Sequence, residues 1–221
     1  MTPDLTQTSL PQRVVIGLSK IGMALKSHSW QNAAQHGLTP TQGQILALLR
    51  SKGTAGMRLS TVAHELGVSA ATTSDAVTTL GEKGLVRKAK AVDDGRAIAI
   101  SLTPQGQQMA ERVADWTDFL LDAVSELSEV EQEVFLHGLI KMIRKLQEQK
   151  QISVAQMCVN CQFFRPNLYE DADHPHHCDF VDAPFGDRDL QLDCPDQAAA
   201  ESTTAQQNWE RLSRSISQKE S

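Results

Sequence analysis

The segment Ala63 to Lys83, AHELGVSAATTSDAVTTLGEK, constrains the fold of this chain more than any other. A short helix from about Leu59 runs to Leu66, Gly67 supplies a tight turn, and Ser69 caps a longer helix from Ala70 that Gly84 closes. Two helices joined so closely must cross with little room. Ala63 is small where they meet, and Val68, Val77 and Leu80 form the apolar side of the second helix. Its outward face is then Ser69, Ala70, Ala71, Thr72, Ser74, Asp75 and Thr78.

The next residues give that arrangement a purpose. LVRKAKAV and AIAISL are rich in β-branched residues and are separated by Asp93-Asp94-Gly95-Arg96, the composition of a hairpin tip. Helix, glycine turn, helix and hairpin is the order of a winged helix-turn-helix. Short hydroxyls and methyls at a helix N-terminus can enter a major groove, where they meet base edges, phosphates or the thymine methyl. Arg87, Lys88, Lys90 and Arg96 cluster on and around the hairpin, placed to neutralise phosphate or reach a minor groove.

Helices are expected on both sides of this domain. Val14, Leu18, Ile21 and Leu25 share one face of a helix from Arg13 to Gln35, with Gly37 as its stop. Thr39-Pro40-Thr41-Gln42 caps another that carries Ile45, Leu46 and Leu49 inward. Thr103-Pro104 starts one with Met109, Val113, Trp116 and Leu120 in step. The capping box Ser128-Glu129-Val130-Glu131 starts one with Leu136, Ile140 and Ile143. Trp30 and Trp116 read as core or dimer contacts, His64 and His137 as surface residues.

Taken together, LTPTQGQILALL and LSTVAHELGVSAATTSDAVTTLGEKGLVRKAKAVDDGRAIAISLTPQG resemble the MarR-type winged-helix regulators. The resemblance runs over roughly Arg13 to Gln149 and rests on EKGLVRK, the D-x-R tip at Asp94 and Arg96, and LTPQG. It implies that the helix from Ala70 is a recognition helix, that Asp94 orients Arg96, and that Arg96 contacts DNA. It also implies a homodimer built from the terminal helices, Arg13 to Gln35 and Pro104 to Gln149. Thr73 and Ala76 depart from the larger apolar residues usual in the family.

The remaining stretch is of a different kind. All four cysteines, Cys158, Cys161, Cys178 and Cys194, fall there, and so do Phe163, Phe164, Phe180 and Phe185. No basic or apolar leader opens the chain and no apolar run is long enough to span a bilayer, so the expected address is the cytoplasm, where clustered cysteines read as metal ligands before disulfides. A C-x-x-C knuckle with two further thiolates can hold Zn2+ or an iron–sulfur cluster, and Cys194-Pro195 echoes the C-P that ends a ferredoxin run. His174, His176 and His177 could replace a thiolate or stand beside the ligands. Because the stretch has little apolar surface of its own, metal binding is expected to supply its folding free energy. The net charge of −6 also has its source there: between Cys158 and Ala200 nine acids face two arginines, a balance of −7, which leaves +1 elsewhere. An acidic total therefore does not exclude a nucleic-acid partner.

The expected fold is mainly α with a small β-hairpin wing, a winged helix-turn-helix flanked by dimerisation helices and followed by a small irregular, metal-stabilised tail. Its divisions are residues 1–38, 39–102, 103–150, a cysteine module at 151–198, and a linker and tail at 199–221, with WERLSRSI as a terminal helix. The expected function is a dimeric, sequence-specific regulator on a pseudo-palindrome in double-stranded DNA, without enzymatic activity or membrane partner, that responds to redox state, metal or ligand through the cysteines. One alternative is a regulator with a small-molecule inducer pocket and a purely structural zinc module. Another is a thiol oxidoreductase using Cys158 and Cys161, disfavoured because no βαβ pattern surrounds them.

Overall fold

The computed structural model describes residues 8–51, 53, 56–90, 98–114, 117–152 and 155–219. Two compact units emerge, Met1–Ala123 and Val124–Ser221.

In the first unit, α1 (Leu10–Gln35) leads into α2 (Pro40–Ser51), β1 (Met57–Arg58), α3 (Leu59–Glu65) and α4 (Ala70–Glu82). The Gly67 turn adopts φ 62°, a left-handed conformation that a side chain would strain. The wing is β2 (Val86–Lys90) against β3 (Ile98–Leu102), antiparallel, with Val86 opposite Leu102 and Lys90 opposite Ile98. It has a third strand that the sequence reading misses. β1 pairs with β3 on its other edge, Met57 opposite Ile100, and two residues are too short to show a period.

Ile45, Leu46, Val62, Val77, Leu80 and Ile100 are fully buried in one core, with Met57, Leu85, Ala110 and Val113. Helix α5 (Pro104–Ala114) seats on it at close range: a Cβ on Gly106 would lie 1.8 Å from the Leu85 carbonyl oxygen, so only glycine fits. The chain is helical again at α6 (Asp118–Ser125); Trp116 lies outside the described residues. Trp30 is 55 % exposed and is not a core residue.

The second unit overturns the expected division of the chain after residue 150. α7 (Glu129–Glu148) and α8 (Ser202–Lys219) share one core with the cysteine segment, in which Ile140, Met157, Val159, Phe164, Leu190 and Leu212 are buried. The terminal helix expected at WERLSRSI begins earlier, at Ser202, and is docked rather than a free tail. Asn208 on α8 donates to the Phe164 carbonyl at 3.0 Å. A small antiparallel sheet of β4 (Phe164–Arg165), β5 (His176–Cys178) and β6 (Ala183–Phe185) lies within this unit. Arg144 of α7 is 8 % exposed; it donates to Gln206 at 2.8 Å and lies 4.9 Å from the centre of the Trp209 ring. Its Nε is 3.2 Å from Glu148 but off the N–H axis, an ion pair rather than a hydrogen bond. Among the described residues no helix is long and apolar enough to cross a membrane.

Candidate nucleic-acid interface and cysteine cluster

Helix α4 starts at a well-made cap. The Ser69 hydroxyl accepts the N–H of Thr72 at 3.0 Å and lies 2.8 Å from the Thr72 hydroxyl. Ser69, Ala70, Ala71, Thr72, Asp75 and Thr78 are exposed and Ser74 half-buried, the face expected from the sequence. Thr73 and Ala76 turn inward with Val77 and Leu80. The Thr73 hydroxyl donates to the Ser69 carbonyl at 3.0 Å, which satisfies it inside the core.

Arg87, Lys88 and Lys90 are all exposed on β2. Two of them are held. Arg87 donates from Nε to the Ser101 hydroxyl at 2.9 Å, and Lys88 donates to the Thr78 hydroxyl at 3.0 Å. Thr78 in turn donates to the Ser74 carbonyl at 2.8 Å. Its hydroxyl is therefore engaged on both sides and positions Lys88. Asp94 and Arg96, at the tip, lie outside the described residues.

The four cysteines come together. Cys158 opens a 3-10 turn, Cys161 ends it, Cys178 closes β5, and Cys194 donates its N–H to the Gln156 carbonyl at 2.9 Å. None of the four is in a disulfide, and they line one cavity with Phe163, Phe164, Phe180, Val181, Phe185 and Asp196. Among the described residues no three sulfurs lie within 4.8 Å of one another. Four thiolates around one zinc ion at about 2.3 Å would sit about 3.8 Å apart, so the sulfurs would draw together on binding one. Burial, offset in part by the Gln191 N–H and reinforced by the neighbouring cysteines, pushes the Cys158 thiol up to about 11. A reactive C-x-x-C thiol carries the opposite shift.

The histidines do not complete this cage. His176 is fully buried, and both ring nitrogens are engaged, Nδ1 accepting the Asn167 N–H at 3.1 Å and Nε2 lying 2.8 Å from Asp187. His177 lies 3.0 Å from the Tyr169 hydroxyl, with Asp182 at 3.5 Å on its other nitrogen, and His174 is exposed beside Asp171. His64 is exposed as expected. His137 is not: it is 4 % exposed, because the face of α7 that carries Ile140 and Arg144 is covered. It stands with Glu133 and Asp187 in a group that sequence reasoning misses, since no spacing rule links α7 to a turn fifty residues on.

With this geometry in hand, comparison with known proteins is specific. A family model described as the MarR family matches residues 36–97. The winged-helix unit has the MarR-family fold. The transcriptional regulator FarR of Neisseria gonorrhoeae is 26% identical over 133 residues, which is 60% of this chain and 90% of FarR. MepR of Staphylococcus aureus in its DNA-binding conformation is 27% identical, covering 60% of this chain and 98% of MepR at a TM-score of 0.54. The MepR–DNA complex covers 58% of this chain and 94% of MepR, at 27% identity and a TM-score of 0.52. FarR is a transcriptional regulator and MepR is seen bound to DNA, and none of the three spans more than 60% of the chain. The cysteine unit has to be understood from its own residues.

Proposed function

We propose that this chain is a sequence-specific, double-stranded-DNA-binding transcriptional regulator that acts as a homodimer and carries a sensory inorganic centre on its four cysteines. The observation that carries it is the exposed Ser69–Thr78 face of α4 beside exposed Arg87, Lys88 and Lys90, in a fold shared with MepR in its DNA-binding conformation. The helix N-terminus and its hydroxyls would read base edges and phosphates in a major groove, and the wing cations would neutralise phosphate. Asp75 on the same face is an acceptor suited to a cytosine amine.

Dimerisation is supported by α1, whose only buried residue is Ala33 and which exposes Leu10, Val14, Val15, Ile16, Ile21, Met23 and Trp30. So large an uncovered apolar surface on one helix fits a second copy of the chain. The testing experiment is selection of DNA from a random pool combined with sedimentation. A dimer should recover a pseudo-palindrome with half-sites about 10 base pairs apart; a monomer that enriches no sequence overturns the proposal. Arg96→Ala should weaken binding of the selected site without loss of fold.

The cysteines would hold an iron–sulfur cluster or Zn2+. The Gln191 N–H, 3.3 Å from the Cys158 sulfur, is the kind of hydrogen bond that tunes a cluster, and it supports the cluster slightly over zinc. Broad visible absorbance in anaerobically purified protein is expected; a colourless protein with stoichiometric zinc selects the other metal. Loss of the centre would loosen the unit that holds α7. If Cys158→Ser loses the centre yet binds the operator unchanged under reducing and oxidising conditions, the cysteines are not the switch, and a small-molecule inducer acts elsewhere.

A further inference from the structure

A second group of potential ligands lies apart from the cysteines. Glu133 and His137 are four residues apart on α7 and so share one side of the helix, and Asp187 begins the 3-10 turn after β6. One carboxylate oxygen of Glu133, one ring nitrogen of His137 and one carboxylate oxygen of Asp187 all lie within 4.8 Å of one another. The His137 and Asp187 side chains are only 5% and 2% exposed.

His137 Nε2 is shut off from solvent without a hydrogen-bond partner, and it stands 3.7 Å from Asp187 Oδ1. That oxygen is already served from the other side. Because His176 Nδ1 accepts the Asn167 N–H, its proton sits on Nε2 and is donated to Asp187 Oδ1 at 2.8 Å. A buried polar atom left unmatched is costly, and His137 Nε2 beside two carboxylates is matched by a cation that all three can ligate.

We propose that Glu133, His137 and Asp187 bind a single divalent cation of the Mn2+ or Fe2+ type, with His176 fixing the orientation of Asp187. Oxygen and nitrogen ligands at about 2.0–2.2 Å from one ion sit roughly 3–4 Å apart, a contraction of less than 2 Å from the observed limit. Two carboxylates and one imidazole are a hard donor set, suited to Mn2+ or Fe2+ and unlike the thiolate cage. The hydrogen bond from His176 is the outer support that ligating carboxylates characteristically have. Glu133 gives the ion a route from solvent, since its side chain is 25% exposed, and the exposed Arg188 at 3.7 Å already shares its carboxylate. Bound there, the ion would pin α7 to the turn at Asp187. Neither DNA binding nor the cysteine centre is needed for this site, and it is measured without DNA.

Mn2+ is the probe, because thiolates bind it poorly and uptake at the cysteines is avoided. Full-length protein with its cysteine centre intact is titrated with MnCl2 while the electron paramagnetic resonance signal of the free ion is followed. One ion per chain is expected. Glu133→Gln and His137→Gln should each weaken uptake by about tenfold or more. Glu133 is half-buried and glutamine keeps its shape, so Glu133→Gln retains the fold, which circular dichroism verifies. No saturable uptake up to millimolar Mn2+, or uptake equal to wild type in both variants, overturns the proposal.

Discussion

Leu212→Ala tests whether α8 closes the second unit. Leu212 is fully buried on α8 in the core that holds Met157, Phe164 and Ile140. Truncation removes three carbon groups at about 0.8 kcal/mol each, roughly 2.4 kcal/mol of transfer free energy. A cavity term adds to this, and buried Leu→Ala changes span about 2.7–5.0 kcal/mol. Because α8 is a peripheral helix that can slide inward, the lower end applies, about 3 kcal/mol. For a unit of roughly 100 residues that corresponds to a fall of about 10–25 °C in the melting temperature. Thermal denaturation followed by circular dichroism reads the shift, and hydrogen exchange should show α8 amides exchanging faster. Arg214→Ala, at an exposed position on the same helix, should stay within about 0.5 kcal/mol of wild type. A Leu212→Ala protein that melts with wild type and protects α8 equally refutes the docking of this helix.

Two other outcomes are specific. In metal-free protein the Cys158 thiol is raised from 9.0 to about 11, so its contribution is fully present below pH 9 and is lost as the pH climbs to 11. A denaturation series across that range should show the loss in wild type but not in Cys158→Ala. At the wing, Thr78→Val and Lys88→Ala both break the contact that positions Lys88, so their effects on DNA affinity should be strongly non-additive; additive losses in a double-mutant cycle would mean that Thr78 acts on DNA by itself.

What was legible in the sequence depended on local rules. Gly67, the Ser69 cap and the Val77–Leu80 stripe each state their role within a few residues, so the helix-turn-helix and its outward face were readable, and Thr73 and Ala76 pack inward despite their size. The β1 strand was not readable, because its two residues gain meaning only from pairing with β3. The cysteine unit misled for a different reason. Its segment supplies Met157, Val159, Phe164 and Leu190 without any regular period, and the core is completed by Ile140 from one side in sequence and Leu212 from the other. Cutting the chain at residues 150 and 198 therefore separated the segment from the residues that bury it. His137 and Asp187, likewise, reveal themselves only as neighbours in space.

The central claim is that the α4 face and the wing bind DNA in distinct ways, and the salt dependence of operator affinity tests it most directly. Affinity is measured at several salt concentrations for wild type, Thr72→Ala, and Arg87→Ala, Lys88→Ala and Lys90→Ala singly. Each wing cation that neutralises a phosphate should, when removed, lower the slope of log affinity against log salt by about one unit, with similar losses on every sequence. Thr72→Ala should leave that slope intact and change which base is preferred. Slopes identical to wild type for all three wing variants, together with unchanged preference in Thr72→Ala, would contradict the account.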